Sequence, residues 1–283
     1  MLMPSKWIIV ADSSCELRQY APTAPDTEFA TVPLKIRVGE REFVDNAQLD
    51  TKVMMQAMHS YNGASSTACP SPEEWAEKFM LADNVLAVTI SSNLSGSYNS
   101  AMVARQMVLE NHPEKKIYVL DSLSAGGELI LDIWALDKMI AEGRTVEEIA
   151  DAGATLALEN QVLFSLACFD NLVKNGRMNK LVGFVAGKLN MRAVGRGSDD
   201  GILDVLHKCR GETRMLGLMV EEMEKHGYNG LRPVVISHCN NERAAQLLRK
   251  GIRTKWPGAQ VHIYPCGGLC SFYAEDQGII MGY

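Results

Sequence analysis

The chain has 283 residues, 47% of them hydrophobic, which is length and apolar material enough for two ordinary domains with buried cores. A formal charge of −6 and the lack of any Lys/Arg-dense block exclude the electrostatic footprint of nonspecific nucleic-acid binding, so no nucleic-acid partner is expected. No apolar run approaches the roughly 20 residues of a spanning helix, and MLMPSKWIIV is too short and too soon acidic for a secretory signal, which points to a cytoplasmic protein.

In chain order, KWIIVADSS is an apolar run ending in Asp12, Ser13 and Ser14, as a buried strand feeding a polar loop does. FATVPLKIRVGEREFVDNAQLD alternates around Val38-Gly39-Glu40 and predicts a hairpin, an accessory ribbon. VLAVTISSNLSG and KIYVLDSLSAGG repeat the first form: a β-rich run, then Asp or Ser, then small polar residues and a helical pattern. Parallel α/β sheets are written this way, and their ligands gather at the carboxyl ends of the strands. The helix after Ser97 is expected to turn Ala101, Val103 and Ala104 inward. Two further helices follow, the second opened by a capping box of Thr145 and Glu148.

Near residue 160 the texture changes to a strand, a helix pair, a hairpin at VGRGSDDG and a long helix over 212–226. Strand, helix and strand come next, and GLCSFYAEDQGIIMGY returns the chain to the domain junction. The expected fold is α/β with two domains. Residues 1–160 form an N-terminal α/β domain with a mainly parallel sheet, flanking helices and the ribbon; residues 161–283 form a C-terminal domain with a mixed sheet.

Ser91, Ser92, Ser95, Ser97 and Ser100 invite a hydrolase reading, but NLSGS lacks the leading glycine of a nucleophile elbow and no histidine stands in a triad context. Helix capping explains part of the cluster. It leaves unexplained the same chemistry at Asp12-Ser13-Ser14 and at Asp121-Ser122. Hydroxyls beside free helix amides make an anion nest, suited to a phosphate or a carboxylate. VGRGSDDG misses the dinucleotide pattern at Asp200 and reads better as a turn, so a carboxylate is the simpler guest. Seven cysteines, an odd number spread through the chain, argue for free thiols; Cys266 and Cys270 are wrongly spaced for zinc, and no metal or cofactor is expected. His238 and Cys239, adjacent on a strand, point to opposite faces and do not form a catalytic pair.

IIVADSSCEL, TVPLKIRVGEREFVD, TISSNLSGSYNSA, VLDSLSAGG, NLVKNGRMNKL, GILDVLHKCRG and VVISHCNN together resemble, in order and spacing, the DegV family of bacterial fatty-acid-binding proteins. The resemblance implies a lipid-binding protein, not an enzyme, that encloses one long-chain fatty acid noncovalently in a tunnel between its domains. It implies that the carboxyl group is presented to a separate fatty acid kinase, with this chain as the non-catalytic subunit, within lipid transport and phospholipid metabolism. On this reading Ser95, Gly96 and Thr67 hold the carboxylate, with Tyr273 as a further donor and Asp12, Ser13, Ser14, Ser92, Asp121 and Ser122 in support. Arg177 corresponds to an exposed arginine that meets the kinase or the membrane surface. The tunnel is expected to be lined partly by the 15 methionines and many leucines.

Three segments depart from the family pattern. Thr67-Ala68-Cys69-Pro70-Ser71 stands for T-S-Q-P-S, Ala274 and Asp276-Gln277-Gly278 stand for a histidine and a G-P-G turn, and Arg192-Ala193 stands for Lys-Pro. Tyr273 is a candidate to replace the histidine as a hydrogen-bond donor, whereas an ionised Glu275 would repel the head group. The alternative is an enzyme that uses the serine-rich anion site on a small phosphorylated or keto substrate. A large apolar cavity favours the carrier or a lipid sensor; a small polar pocket favours the enzyme.

Overall fold

The computed structural model describes residues 5–178 and 190–283. Up to residue 121 the chain forms β1 (Ser5–Asp12), β2 (Thr27–Val32), β3 (Lys35–Val38), β4 (Arg41–Val44), α1 (Thr51–Ser60), β5 (Ser65–Ala68), α2 (Pro72–Phe79), β6 (Ala82–Thr89), α3 (Ser97–Asn111) and β7 (Lys116–Asp121). The three apolar runs ending in Asp or Ser lie side by side as parallel strands, β1-β6-β7, with β2 on the outer edge of β1. Ile8, Ile9 and Val10 are buried in succession, as are Val85 to Val88, because helices cover both faces. Trp75, Phe79, Ala101 and Ala104 pack on one face.

On α3 the inward stripe is Ser97, Ser100, Ala101, Ala104 and Val108. Val103, expected inward, is exposed: it falls off that 3.6-residue stripe, and the small alanines let the helix approach the sheet. The expected hairpin is β3–β4, turning at Gly39 in the left-handed region (φ 61°), and β5 pairs with the other side of β3. The segment read as one ribbon divides at Pro33, so that residues 27–32 join the parallel sheet as β2 instead.

The rest of the described chain gives α4 (Glu128–Ala141), α5 (Val146–Glu159), β8 (Val162–Leu166), α6 (Asp170–Lys174), β9 (Met191–Gly197), β10 (Leu203–Arg210), α7 (Glu212–Lys225), β11 (Val234–His238), α8 (Glu242–Lys255), β12 (Val261–Pro265), α9 (Gly268–Ala274) and β13 (Ile279–Gly282). The capping box at Thr145 and Glu148 is formed, and VGRGSDDG is the β9–β10 turn. The second helix expected after residue 174 lies outside the described residues, as do Asn179, Lys180 and Leu181. The second sheet is mixed, ordered β10-β9-β8-β13-β11-β12, with β11 and β12 parallel.

All strands of the parallel sheet precede residue 122, and all strands of the mixed sheet follow residue 161. Helix α4 is shared: its Leu129, Ile133 and Leu136 enter one core with Ile9 and Leu86 of the first sheet and Val235 of the second. The approach is close enough that a Cβ at Gly282 would stand 2.4 Å from Glu128 Cα, so only glycine fits there.

Candidate functional site

Where the parallel sheet, the ribbon and the mixed sheet meet, the structure forms a partly open apolar cavity that spans about 790 Å³ with the solvent at its mouth included. Leu34, Ile90, Leu94, Phe164, Leu203 and Leu269 form much of its wall, drawn from both halves of the chain. No methionine of the described residues lines it, contrary to expectation. Met54, Met55 and Met178 fill the core beneath the ribbon, and Met215, Met219 and Met223 lie on the α7 face that packs on its own sheet.

Thr67, Ser95, Arg177 and Tyr273 are polar members of the wall. Thr67 Oγ1 and Tyr273 Oη are 2.8 Å apart, within a hydrogen bond of each other. Ser95 precedes α3, and its Oγ accepts from Ser97 N at 3.3 Å; Gly96 at the N-cap supplies no side-chain cap. Gly96 is exposed and is not part of the wall; a Cβ on it would come 3.3 Å from Cys69 Sγ, so the loop after β5 and the start of α3 are in near contact. The hydroxyls of Thr67, Ser95 and Tyr273 thus share the wall of an apolar space, Ser95 beside the positive end of a 15-residue helix. Such a set replaces the water of a carboxylate.

Arg177 is half-buried, not exposed as the resemblance implied. Its Nε donates to Leu94 O at 3.0 Å and its Nη1 to Asn175 O, so two carbonyls at chain bends draw the guanidinium against the wall. Glu275 is not part of the wall. It accepts from Asn171 N at 3.4 Å, and burial pushes its carboxyl above the ordinary range.

The supporting residues do not line the cavity; they knot the strand ends around it. Asp12 accepts from Ile90 N at 2.9 Å, Ser97 Oγ at 2.7 Å and both N and Oγ of Ser14. Burial pushes its carboxyl up and those donors oppose the push. Ser13 Oγ donates to Asp45 Oδ2 at 2.9 Å and accepts from Leu34 N. Asp121 accepts from Ser92 N and Leu123 N, and Ser122 Oγ accepts from Ser124 N. Of the three strand-end clusters, the one after β6 reaches the cavity through Ser95, while the named residues of the other two are scaffold.

Sequence reasoning missed the residues that seat Tyr273. Asp45, directly after β4 and wholly buried, accepts from Gly268 N at 2.6 Å and Leu269 N at 2.9 Å at the start of α9, and pairs with Arg18 Nη2. Glu16, in the left-handed region (φ 65°), accepts from Gly267 N, and burial pushes its carboxyl up to about 7. An aspartate after a strand looks like an ordinary turn residue in the sequence; only the returning helix shows what it caps.

The profile described as "Uncharacterised protein, DegV family" matches residues 6–280. The chain belongs to the DegV family. A DegV domain-containing protein of Streptococcus gordonii is 46% identical over 277 residues, which are 98% of each chain. Among solved structures, the Streptococcus pneumoniae Fatty Acid Kinase (Fak) B3 protein loaded with linoleic acid is 46% identical with a TM-score of 0.94, covering 98% of this chain and 99% of that one. A DegV family protein of Eubacterium eligens loaded with heptadecanoic acid is 36% identical with a TM-score of 0.92, covering 98% of each.

The departures from the DegV pattern have distinct places in the structure. Ala68 is exposed, Cys69 is half-buried beside Gly96, and Ala274 is buried in the cavity wall next to Tyr273. Arg192 Nη2 donates to Gln277 Oε1, so two of the changed segments meet each other. Among the described residues no helix is long and apolar enough to cross a membrane.

Proposed function

We propose that this protein binds one long-chain fatty acid noncovalently, with its tail in the apolar cavity and its carboxylate at Ser95, Gly96, Thr67 and Tyr273. The observation that carries the reading is an apolar cavity whose few polar wall groups include the paired hydroxyls of Thr67 and Tyr273 and the Ser95 hydroxyl at the start of α3. At ~0.8 kcal/mol per buried CH₂, a chain of about sixteen carbons supplies on the order of 10 kcal/mol before ordering costs, so the tail gives the affinity. The hydroxyls orient the acid. The streptococcal and Eubacterium relatives loaded with fatty acids support the same reading.

The protein acts as the binding subunit that presents the carboxyl group to a separate fatty acid kinase and catalyses nothing itself. Its place is the cytoplasm, in lipid transport toward phospholipid metabolism, with the kinase and, transiently, the membrane surface as partners. Arg177, at the wall beside Leu94, is the residue proposed to face the kinase. A small-substrate enzyme fits less well, because the wall offers apolar side chains where such a substrate needs polar ones.

Native mass spectrometry of the purified protein, followed by denaturing extraction, tests the binding. A one-to-one adduct that releases a long-chain fatty acid is expected. A lipid-free protein that also fails to take up added octadecanoic acid overturns the proposal.

A further inference from the structure

The tip of the β9–β10 hairpin is a single layer of chain between the cavity and solvent. Gly197, Gly201 and Leu203 line the cavity, while Asp199, Asp200 and Ile202 are exposed. The tip is closed on itself: Ser198 N donates to Ile202 O at 2.8 Å, Gly201 N to Ser198 O at 2.8 Å and Ile202 N to Ser198 Oγ at 3.2 Å. Any displacement therefore carries it as one piece.

Two side chains of the loop between β6 and α3 hold this tip down. Ser91, wholly buried, donates from Oγ to Gly201 O at 2.8 Å, and the exposed Asn93 donates from Nδ2 to Asp200 O at 2.7 Å. Both bonds cross from the end of a first-sheet strand to the second sheet. Gly201 has φ 70°, and a Cβ there would overlap Ser91 Oγ and stand 2.9 Å from Leu123 Cα, so only glycine lets the tip seat this closely. Behind the tip the hairpin is less firmly held. Among the described residues β10 is the edge of the mixed sheet, and its pairing with β9 slips at a bulge between Val205 and His207. A bulged edge hairpin opens at lower cost than a central strand. Leu94, Arg177 and Leu203 line both the cavity and a groove outside it, whose other walls include Asn93 and Ile202. The clasp thus sits where cavity and groove share a wall, and lifting the tip joins the two.

We propose that residues 198–202 form a strap over the cavity, fastened by Ser91 and Asn93, that lifts to let the fatty acid in and out. The proposal rests on the fatty-acid reading above and adds the route of exchange. Neither bond uses a group of the carboxylate site, so the strap closes the loaded and the empty protein alike. Weakening it raises the rates of uptake and release together and leaves their ratio, the affinity, nearly unchanged.

Stopped-flow fluorescence with cis-parinaric acid, a fluorescent long-chain fatty acid, reads both rates: uptake on mixing with the protein, release on chasing the loaded protein with excess octadecanoic acid. In Asn93→Ala, where the altered side chain is exposed, both rates are expected to rise about fivefold, the effect of one hydrogen bond, with the dissociation constant within about twofold of the wild type. Ser91→Ala is expected to act in the same direction, and a thermal melt checks the folding of each variant. Rates equal to the wild type in Asn93→Ala and Ser91→Ala place the route elsewhere and overturn the strap. Faster release with unchanged uptake makes the tip an ordinary part of the wall and also overturns it. In both cases the fatty-acid reading stands. A wild type that takes up neither acid overturns that reading and the strap's role with it.

Discussion

Thr67 and Tyr273, 206 positions apart in the chain, bring their hydroxyls to 2.8 Å from each other at the polar end of the cavity. One comes from the ribbon strand β5 and the other from α9, so the pair exists only in the folded protein. Each hydroxyl can donate one proton, and an acid head group would take at least one of the two. In Tyr273→Phe the ring keeps its edge contact with Phe272, whose centroid is 4.8 Å away. Affinity for octadecanoic acid should fall about three- to tenfold by isothermal titration, with the unliganded stability changed by less than about 1 kcal/mol. Unchanged affinity would remove Tyr273 from the head-group site.

Ala125 lines the cavity on the loop before α4. Ala125→Leu adds apolar volume to the space the tail needs. Binding of octadecanoic acid should weaken by about tenfold or more, while the melting temperature of the lipid-free protein holds or rises because void is filled. A variant that binds as tightly as the wild type would place the tail elsewhere.

Asp45 holds Ser13, Arg18 and the first amides of α9 at once. Asp45→Asn keeps the shape but loses the charge and turns a donor toward donors. A loss of about 2–4 kcal/mol in urea unfolding is expected, together with weaker acid binding through a loosened Tyr273. A stable variant with wild-type binding would mean that α9 is seated without this cap.

Glu16 is pushed up to about 7 by burial, against an ordinary value of 4.5. Between those pH values the folded protein keeps a proton that the unfolded chain has released. Stability should therefore fall as pH rises from about 4.5 to about 7 and level off above, by up to about 3 kcal/mol. Asp132, also pushed up to about 7 by burial, acts in the same direction. Denaturant midpoints measured across this range should decline less steeply in Glu16→Gln, and identical slopes would count against a buried ionisation at Glu16.

The parallel strands were legible because each is an apolar run closed by Asp or Ser, and the hairpin because Gly39 must turn with a positive φ. Ser95 and Thr67 were legible through family resemblance more than through local chemistry, since Ser13, Ser14 and Ser122 have the same local texture and serve as scaffold. Long-range partners separate the two kinds of serine. The same limit hid Asp45, whose acceptors' donors lie more than two hundred residues downstream. Methionine count misled because composition does not say which face of a helix a side chain takes, and α7 turns its methionines to its own sheet.

The Asp45 cap joins the end of the ribbon to α9, so Thr67 and Tyr273 belong to one tied assembly, whereas Ser95 sits on the exit of the parallel sheet. On the proposed role, a carboxylate shared among them would be a further rivet beside the bonds of Ser13 to Asp45 and of Ser100 Oγ to Pro70 O that already join these pieces of chain. The filled protein is then the harder one to pull open, and the empty one is the better meal for a protease. On the proposed role, a cell short of free fatty acid would clear this protein faster, so that its amount would follow that of its ligand.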